Sequence, residues 1–241
     1  MSSGPDGPSD RLPTGCASLD RLLGGGFEFG ALSQVFGEGG SGKTSLALQL
    51  AVATARAGKK AVYIDTEGLS AERFRQISGP EVKAVSGRVI VFEPRSFLEQ
   101  SSVLEDVERI AREGVGLVVW DSATFYYRLE LGGDEQALKR ELGRQMAALL
   151  RIARERNLVA LVTNQIYTDI DHDAIRPLGG SIVEHLCKTI LQLEKTGKAG
   201  RRRAVLKKHR SLAEGTSCEV RLTDRGLEDV PDEVAVEIRN R

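Results

Sequence analysis

Cysteine is scarce in this chain: Cys16, Cys187 and Cys218 are the only three in 241 residues, far apart and with no CxxC pair. An odd, scattered set excludes a disulfide framework, and a reduced cytoplasmic setting is the simplest expectation. Net charge is missing as well, because 34 Lys and Arg balance 34 Asp and Glu. Such a chain is no general polyanion binder, so any nucleic-acid contact must come from a local patch. No apolar run approaches the roughly 20 residues that span a bilayer, and no signal-peptide core follows Met1. No membrane association is expected. Internal repeats and a convincing linker are also lacking. The expectation is therefore one domain over 11–241, after a Gly/Ser/Pro/Asp-rich lead-in (1–10) expected to be disordered.

What is present is an ordinary globular composition, 41% hydrophobic and 28% charged, with ample length to bury a core. ALSQVF (31–36), KAVYID (60–65), RVIVF (88–92), GLVVWD (116–121) and LVALVT (158–163) read as parallel strands. Their nearly unbroken apolarity is what a sheet covered on both faces requires. Helical patterns separate them at 43–57, 71–78, 97–113 and 134–156, which predicts a doubly wound α/β sheet. Beyond residue 180, TILQLE (189–194), RAVLKK (203–208) and CEVRLT (218–223) predict antiparallel strands at one edge of the same sheet.

GEGGSGKT (37–44) matches GxxxxGK[ST], between the strand at 31–36 and the helix at 43–57. Gly37, Glu38, Gly39, Gly40, Ser41 and Gly42 would wrap phosphates with backbone N–H groups, and the helix N-terminus at Lys43, Thr44 and Ser45 adds a favourable dipole. Lys43 would reach the β and γ phosphates of a nucleotide, and the Thr44 hydroxyl would ligate Mg²⁺. Asp121 ends an apolar strand at the sheet's carboxyl edge, where it suits a metal held through water. Glu67 lies just past the next strand, placed to polarise an attacking water. Gln165, in TNQ, ends another strand with an amide able to sense the γ phosphate. Trp120 reads as core and His185 as a helix residue, not a ligand. Phe125, Tyr126 and Tyr127 suit base stacking or packing equally well.

Together GEGGSGKT, IDTEG, VVWDSATFYYR, ELGRQ and TNQ resemble the RecA/RadA recombinase family over about residues 11–230. The resemblance implies a RecA-type P-loop ATPase core that uses ATP and Mg²⁺. In it Glu67 is the base, Gln165 the sensor, and Arg73 a residue over the adenine. It also makes Arg128, Lys139 and Arg140, in and beside the first DNA-binding loop, expected phosphate contacts. Two features differ from a full recombinase. No N-terminal helical DNA-binding domain or Phe-x-x-Ala plug is expected ahead of the core, and the stretch at 168–178 is short and acidic. That stretch is read as a solvated acidic loop in preference to a calcium-like site. These differences imply an accessory member of the family. Its expected partners are single-stranded DNA, a RadA-type recombinase, Holliday-junction processing enzymes and other copies of itself. A regulatory ATPase of the KaiC group, which acts on proteins, is the alternative.

The charge is unevenly spread. Residues 195–210, KTGKAGRRRAVLKKHR, hold eight Lys or Arg and no acid, leaving 26 basic against 34 acidic side chains, a net of −8, elsewhere. The turn at Gly197 and Gly200 puts Lys198, Arg201, Arg202 and Arg203 largely on a hairpin tip, suited to DNA or merely solvated. In VLKKHR, a strand would set Lys208 and Arg210 on one face. By the family's habit, these two would act in trans on a neighbour's γ phosphate, like an arginine finger.

Overall fold

A computed structural model describes residues 10–112, 114–169 and 174–231. All of the lead-in except Asp10, and the centre of the acidic stretch, lie outside the described residues. A small ribbon opens the chain: β1 (Arg11–Leu12), helix α1 (Ala17–Leu22) and β2 (Phe27–Glu28). There follow β3 (Leu32–Gly37), α2 (Lys43–Arg56), β4 (Lys60–Asp65), α3 (Ala71–Ser78), α4 (Val82–Ser86), β5 (Val89–Phe92) and α5 (Phe97–Ile110). The middle comprises β6 (Val115–Asp121), α6 (Phe125–Leu129), α7 (Glu135–Arg156), β7 (Val159–Asn164), and the short pair β8 (Ile166–Asp169) and β9 (Ala174–Pro177). Helix α8 (Gly180–Leu186) then leads to β10 (Thr189–Lys195), β11 (Arg201–Lys208), β12 (Ser217–Thr223) and β13 (Gly226–Asp229).

Among the described residues, nine strands form the main sheet in the order β13-β12-β11-β10-β3-β7-β6-β4-β5. The five predicted parallel strands pair as expected, and β3, β6 and β7 are buried along their whole length. The C-terminal set is antiparallel within itself but joins β3 through a parallel pair, with Leu193 opposite Gly37. It is also longer than predicted. Arg201, Arg202 and Arg203 belong to β11, the first paired to β12 alone and the other two to both neighbours, so the hairpin tip is confined to 196–200. The cause is the backbone ladder, which continues past the apolar run because these long side chains reach beyond the core, Arg203 to solvent and Arg202 to the Gly40 carbonyl. Strand β13 was not anticipated either, being four residues at the sheet's edge.

Two apolar layers sandwich the sheet. Leu46, Leu50, Tyr63, Val119, Leu161 and Leu191 pack on one face beneath α2. Leu32, Trp120, Met146, Leu149, Val162 and Val183 pack on the other, beneath α7 and α8. Side-chain caps define the helix starts: Ser70 accepts from Arg73 N at 3.1 Å, Ser96 from Glu99 N at 3.1 Å, and Asp134 from Ala137 N at 3.0 Å. Each satisfies an N–H that the first turn leaves open. Gln49 ties three regions together. Its amide donates to Thr14 O at 2.7 Å and Leu227 O at 3.1 Å and accepts from Leu227 N at 2.7 Å, locking the segment before α1 and strand β13 to the helix that follows the P-loop.

Asp229 is the corresponding cap for α1. Its carboxylate accepts from Ser18 N at 2.6 Å and Ala17 N at 3.1 Å, and hydrogen bonding from Ser18, side chain first and then backbone, pulls its pKa down to about 2 from 3.8. A carboxyl depressed on folding stabilises the fold above its unfolded pKa and loses that contribution as pH falls through the folded value. Asp229→Asn is therefore expected to be less stable than wild type at neutral pH. The gap should close between about pH 4 and pH 2, read by urea unfolding of both proteins across that range. A gap that stays constant to pH 2 would show that the carboxylate charge plays no part.

Candidate functional site

The P-loop leaves β3 at the sheet's carboxyl edge and enters α2 at Lys43. Gly42 has φ +109, and a Cβ there would meet Leu227 at 3.4 Å, so glycine suits both the turn and the close approach of β13. Lys43 Nζ donates to the Gly37 and Glu38 carbonyls at 2.8 and 3.0 Å, holding the loop folded around its own ammonium. Burial lowers the Lys43 pKa, and the charges of Glu67, Asp121 and Glu38 oppose that shift. The carboxylates singled out in the sequence thus converge on this lysine.

Adjacent strand ends arrange the rest. Asp65 of β4 stands opposite Asp121 of β6. Asp121 is 4% exposed; it accepts from Tyr63 Oη at 2.6 Å and from the Thr163 hydroxyl. Both carboxylate oxygens are thereby aimed, with lone pairs left over for a metal-bound water. Burial, and then the Asp121 charge, push the Tyr63 phenol well up, so it remains a donor. Asp65 accepts from Glu67 N at 3.2 Å, Gly68 N at 2.9 Å and Leu69 N, and so shapes the turn that carries Glu67. Burial raises the Asp65 pKa, opposed by those three bonds. Thr66 Oγ1 donates to Ser122 O and accepts from Ser122 N, both at 2.8 Å, tying the Glu67 turn to the end of β6.

Glu67 and Gln165 meet. Gln165 Nε2 donates to Glu67 Oε1 at 3.0 Å, and Arg128 Nη1 donates to Gln165 Oε1 at 2.7 Å. Arg128 also lines a cleft of about 600 Å³ between α6, α7 and α8, together with Tyr127, Leu131 and Lys139. The other residues expected to touch DNA lie elsewhere. Arg140 lines a neighbouring cleft with Phe97 and Leu98, Arg201 pairs with Glu219 at 3.1 Å, and Arg202 contacts the P-loop itself. Arg73 joins Ser45 Oγ (3.2 Å), Gln76 Oε1 (3.0 Å) and the Thr223 carbonyl (2.6 Å), flanking the start of α2. Lys208 donates to Glu184 O at 2.6 Å, and Arg210 pairs with Glu28 at 2.9 Å. Trp120 is fully buried, His185 is exposed, and Tyr127 packs on Phe97 with ring centroids 6.0 Å apart.

A nucleotide fits this set. The Ser41 hydroxyl, fully buried in the loop, has no hydrogen-bond partner among the described residues. The Lys43 ammonium is satisfied by carbonyls that phosphate oxygens can replace. The comparisons agree with this chemistry. The Rad51 family pattern matches residues 10–230. This chain belongs to the Rad51 family. Within it, the chain is 50% identical over 220 residues to the DNA repair and recombination protein RadB of Methanococcoides burtonii, covering 90% of this chain and 97% of that protein. It is 46% identical over 225 residues to the RadB of Methanoculleus marisnigri, covering 92% and 99%. A crystal structure of the RadB recombinase superposes with a TM-score of 0.81 at 41% identity, covering 91% of this chain and 99% of that one. These Rad51-family relatives lie on the recombination side of the two readings that the sequence left open.

Proposed function

We propose that this Rad51-family chain is an ATP-binding, DNA-binding accessory of homologous recombination and DNA repair. It acts in the cytoplasm beside a RadA-type recombinase, hydrolyses ATP slowly and does not exchange strands alone. Residues 11–241 act as one unit, and Holliday-junction enzymes and further copies of the chain are additional partners. The observation that carries the reading is the hydrogen-bonded series Arg128–Gln165–Glu67, which connects the expected DNA loop with the expected catalytic carboxylate.

Residues 37–45 hold the phosphates, Arg73 flanks the base, and Thr44 and Asp121 would hold Mg²⁺, with Asp121 reaching it by way of water. The bound metal supplies charge that offsets the negative charge of the phosphates. Lys43 positions the terminal phosphates. Glu67 accepts the proton of the attacking water, and Gln165 holds its carboxylate in place. Arg128, in turn, fixes the amide of Gln165. Lys208 and Arg210 act in trans only by leaving Glu184 and Glu28, so assembly decides their role.

Fluorescence titration with single-stranded DNA at low and moderate salt, with and without ATP, tests the DNA half. Affinity is expected to fall steeply with salt, with a log–log slope of about −0.7 per phosphate neutralised. Absence of salt-dependent binding in every condition would sink that half.

A further inference from the structure

The β10–β11 hairpin ends beside the P-loop, and its register decides which side chains face it. Strand β10 runs parallel to β3 with Leu193 opposite Gly37, so Lys195 travels alongside the loop's first residues. Strand β11 places Arg202 directly opposite Lys195. Opposed residues of an antiparallel pair share a face. Two and four positions back, that face carries Leu193 with Ala204 and Leu191 with Leu206, all in the core layer beneath α2. Lys195 and Arg202 therefore extend this row beyond the core, onto the crest of the loop in their own chain.

The contacts follow that geometry. Arg202 Nη2 donates to the Gly40 carbonyl at 3.0 Å, and Nη1 to the Arg201 carbonyl at 2.8 Å. Lys195 Nζ lies 3.7 Å from the Glu38 carboxylate and 3.7 Å from where a Cβ on Gly40 would sit. Like charges directly opposite each other in a sheet repel, and Lys43 adds a third cation, its pKa lowered in part by Lys195. Arg202 Nε and Ser41 Oγ are buried without a hydrogen-bond partner among the described residues. Three cations and open donors around one loop suit a ligand with several anionic oxygens.

We propose that Lys195 and Arg202 bind the nucleotide in cis, clamping its phosphate chain against the crest of the P-loop, and are not DNA contacts. The inference rests on the reading of residues 37–44 as a nucleotide site. Arg202 supplies a planar fork that sets the Gly40 carbonyl and faces the phosphates, and Lys195 supplies a mobile point charge. Added positive charge favours the more highly charged ligand, so ATP gains more than ADP. It also lets a single chain hold ATP without a neighbour.

The test is calorimetric titration of Mg·ATP and Mg·ADP into wild type, K195A/R202A and Lys195→Glu, with parallel single-stranded DNA titrations. Lys207→Ala, an exposed lysine on the opposite face of β11, is the control. In K195A/R202A, ATP affinity is expected to fall at least about tenfold and ADP affinity less, with DNA affinity at the wild-type value. Lys195→Glu, a charge reversal at an exposed position, should weaken ATP at least as much as it weakens ADP, and Lys207→Ala should match wild type. Unchanged ATP affinity in K195A/R202A, with wild type binding ATP, overturns the clamp and leaves the nucleotide site standing. Reduced DNA affinity with unchanged ATP affinity also overturns it, returning both residues to DNA. Failure of wild type to bind ATP at all overturns the nucleotide site and the clamp together.

Discussion

Lys43→Ala is expected to lose ATP binding by about 2–5 kcal/mol, roughly thirty- to several-thousand-fold. The side chain is partly buried and surrounded by Glu67, Asp121 and Glu38, so its charge is screened less than a surface charge. Truncation removes the cation proposed to meet the terminal phosphates and leaves those carboxylates uncompensated. It also removes two bonds that hold the loop, to the Gly37 and Glu38 carbonyls. Circular dichroism and thermal unfolding separate the two effects. A variant that unfolds as wild type does and still fails to bind places the loss in the ligand contact. A variant that binds ATP normally contradicts the assignment of the loop.

Glu67→Gln is expected to lower the rate of ATP hydrolysis by about 10²–10⁴-fold, the usual worth of a general base, while ATP affinity changes little. The substitution keeps the size of the side chain and an oxygen that can still accept from Gln165, which donates to Glu67 at 3.0 Å. What it removes is the basic carboxylate. The Asp65-built turn beneath it is untouched, because Asp65 bonds to backbone N–H groups. Single-turnover hydrolysis with ATP saturating both proteins makes the comparison. Equal rates would remove Glu67 from the chemistry and leave Gln165 holding a merely structural carboxylate.

The parallel core was legible because burial on both faces leaves strands such as Val115–Asp121 apolar up to the final residue. The position of residues 37–44, Asp121, Glu67 and Gln165 at strand ends was legible for a related reason: the backbone wrapping, metal binding and proton transfer proposed for them each demand particular residue types there. Residues that orient those groups were harder to see. Asp65 carried a faint signal, since Asp ahead of a Thr-Glu-Gly turn often bonds its own backbone. Tyr63 and Thr163 carried none, because their roles arise only when β4, β6 and β7 lie side by side. Lys195 and Arg202 illustrate the same limit. In the sequence they belong to one basic run with Lys198 and Lys208. The parallel pairing of β10 with β3 separates them from it and puts them on the P-loop. The start of the basic strand was misjudged for want of an apolar pattern, since Arg201, Arg202 and Arg203 continue it through the backbone ladder with β12.

Isothermal titration of the wild-type chain with ATP, with and without Mg²⁺, tests the central claim most directly. One nucleotide is expected to bind per chain, more tightly with Mg²⁺ than without it. Absence of binding under both conditions, or binding unaffected by both Mg²⁺ and Lys43→Ala, would contradict it.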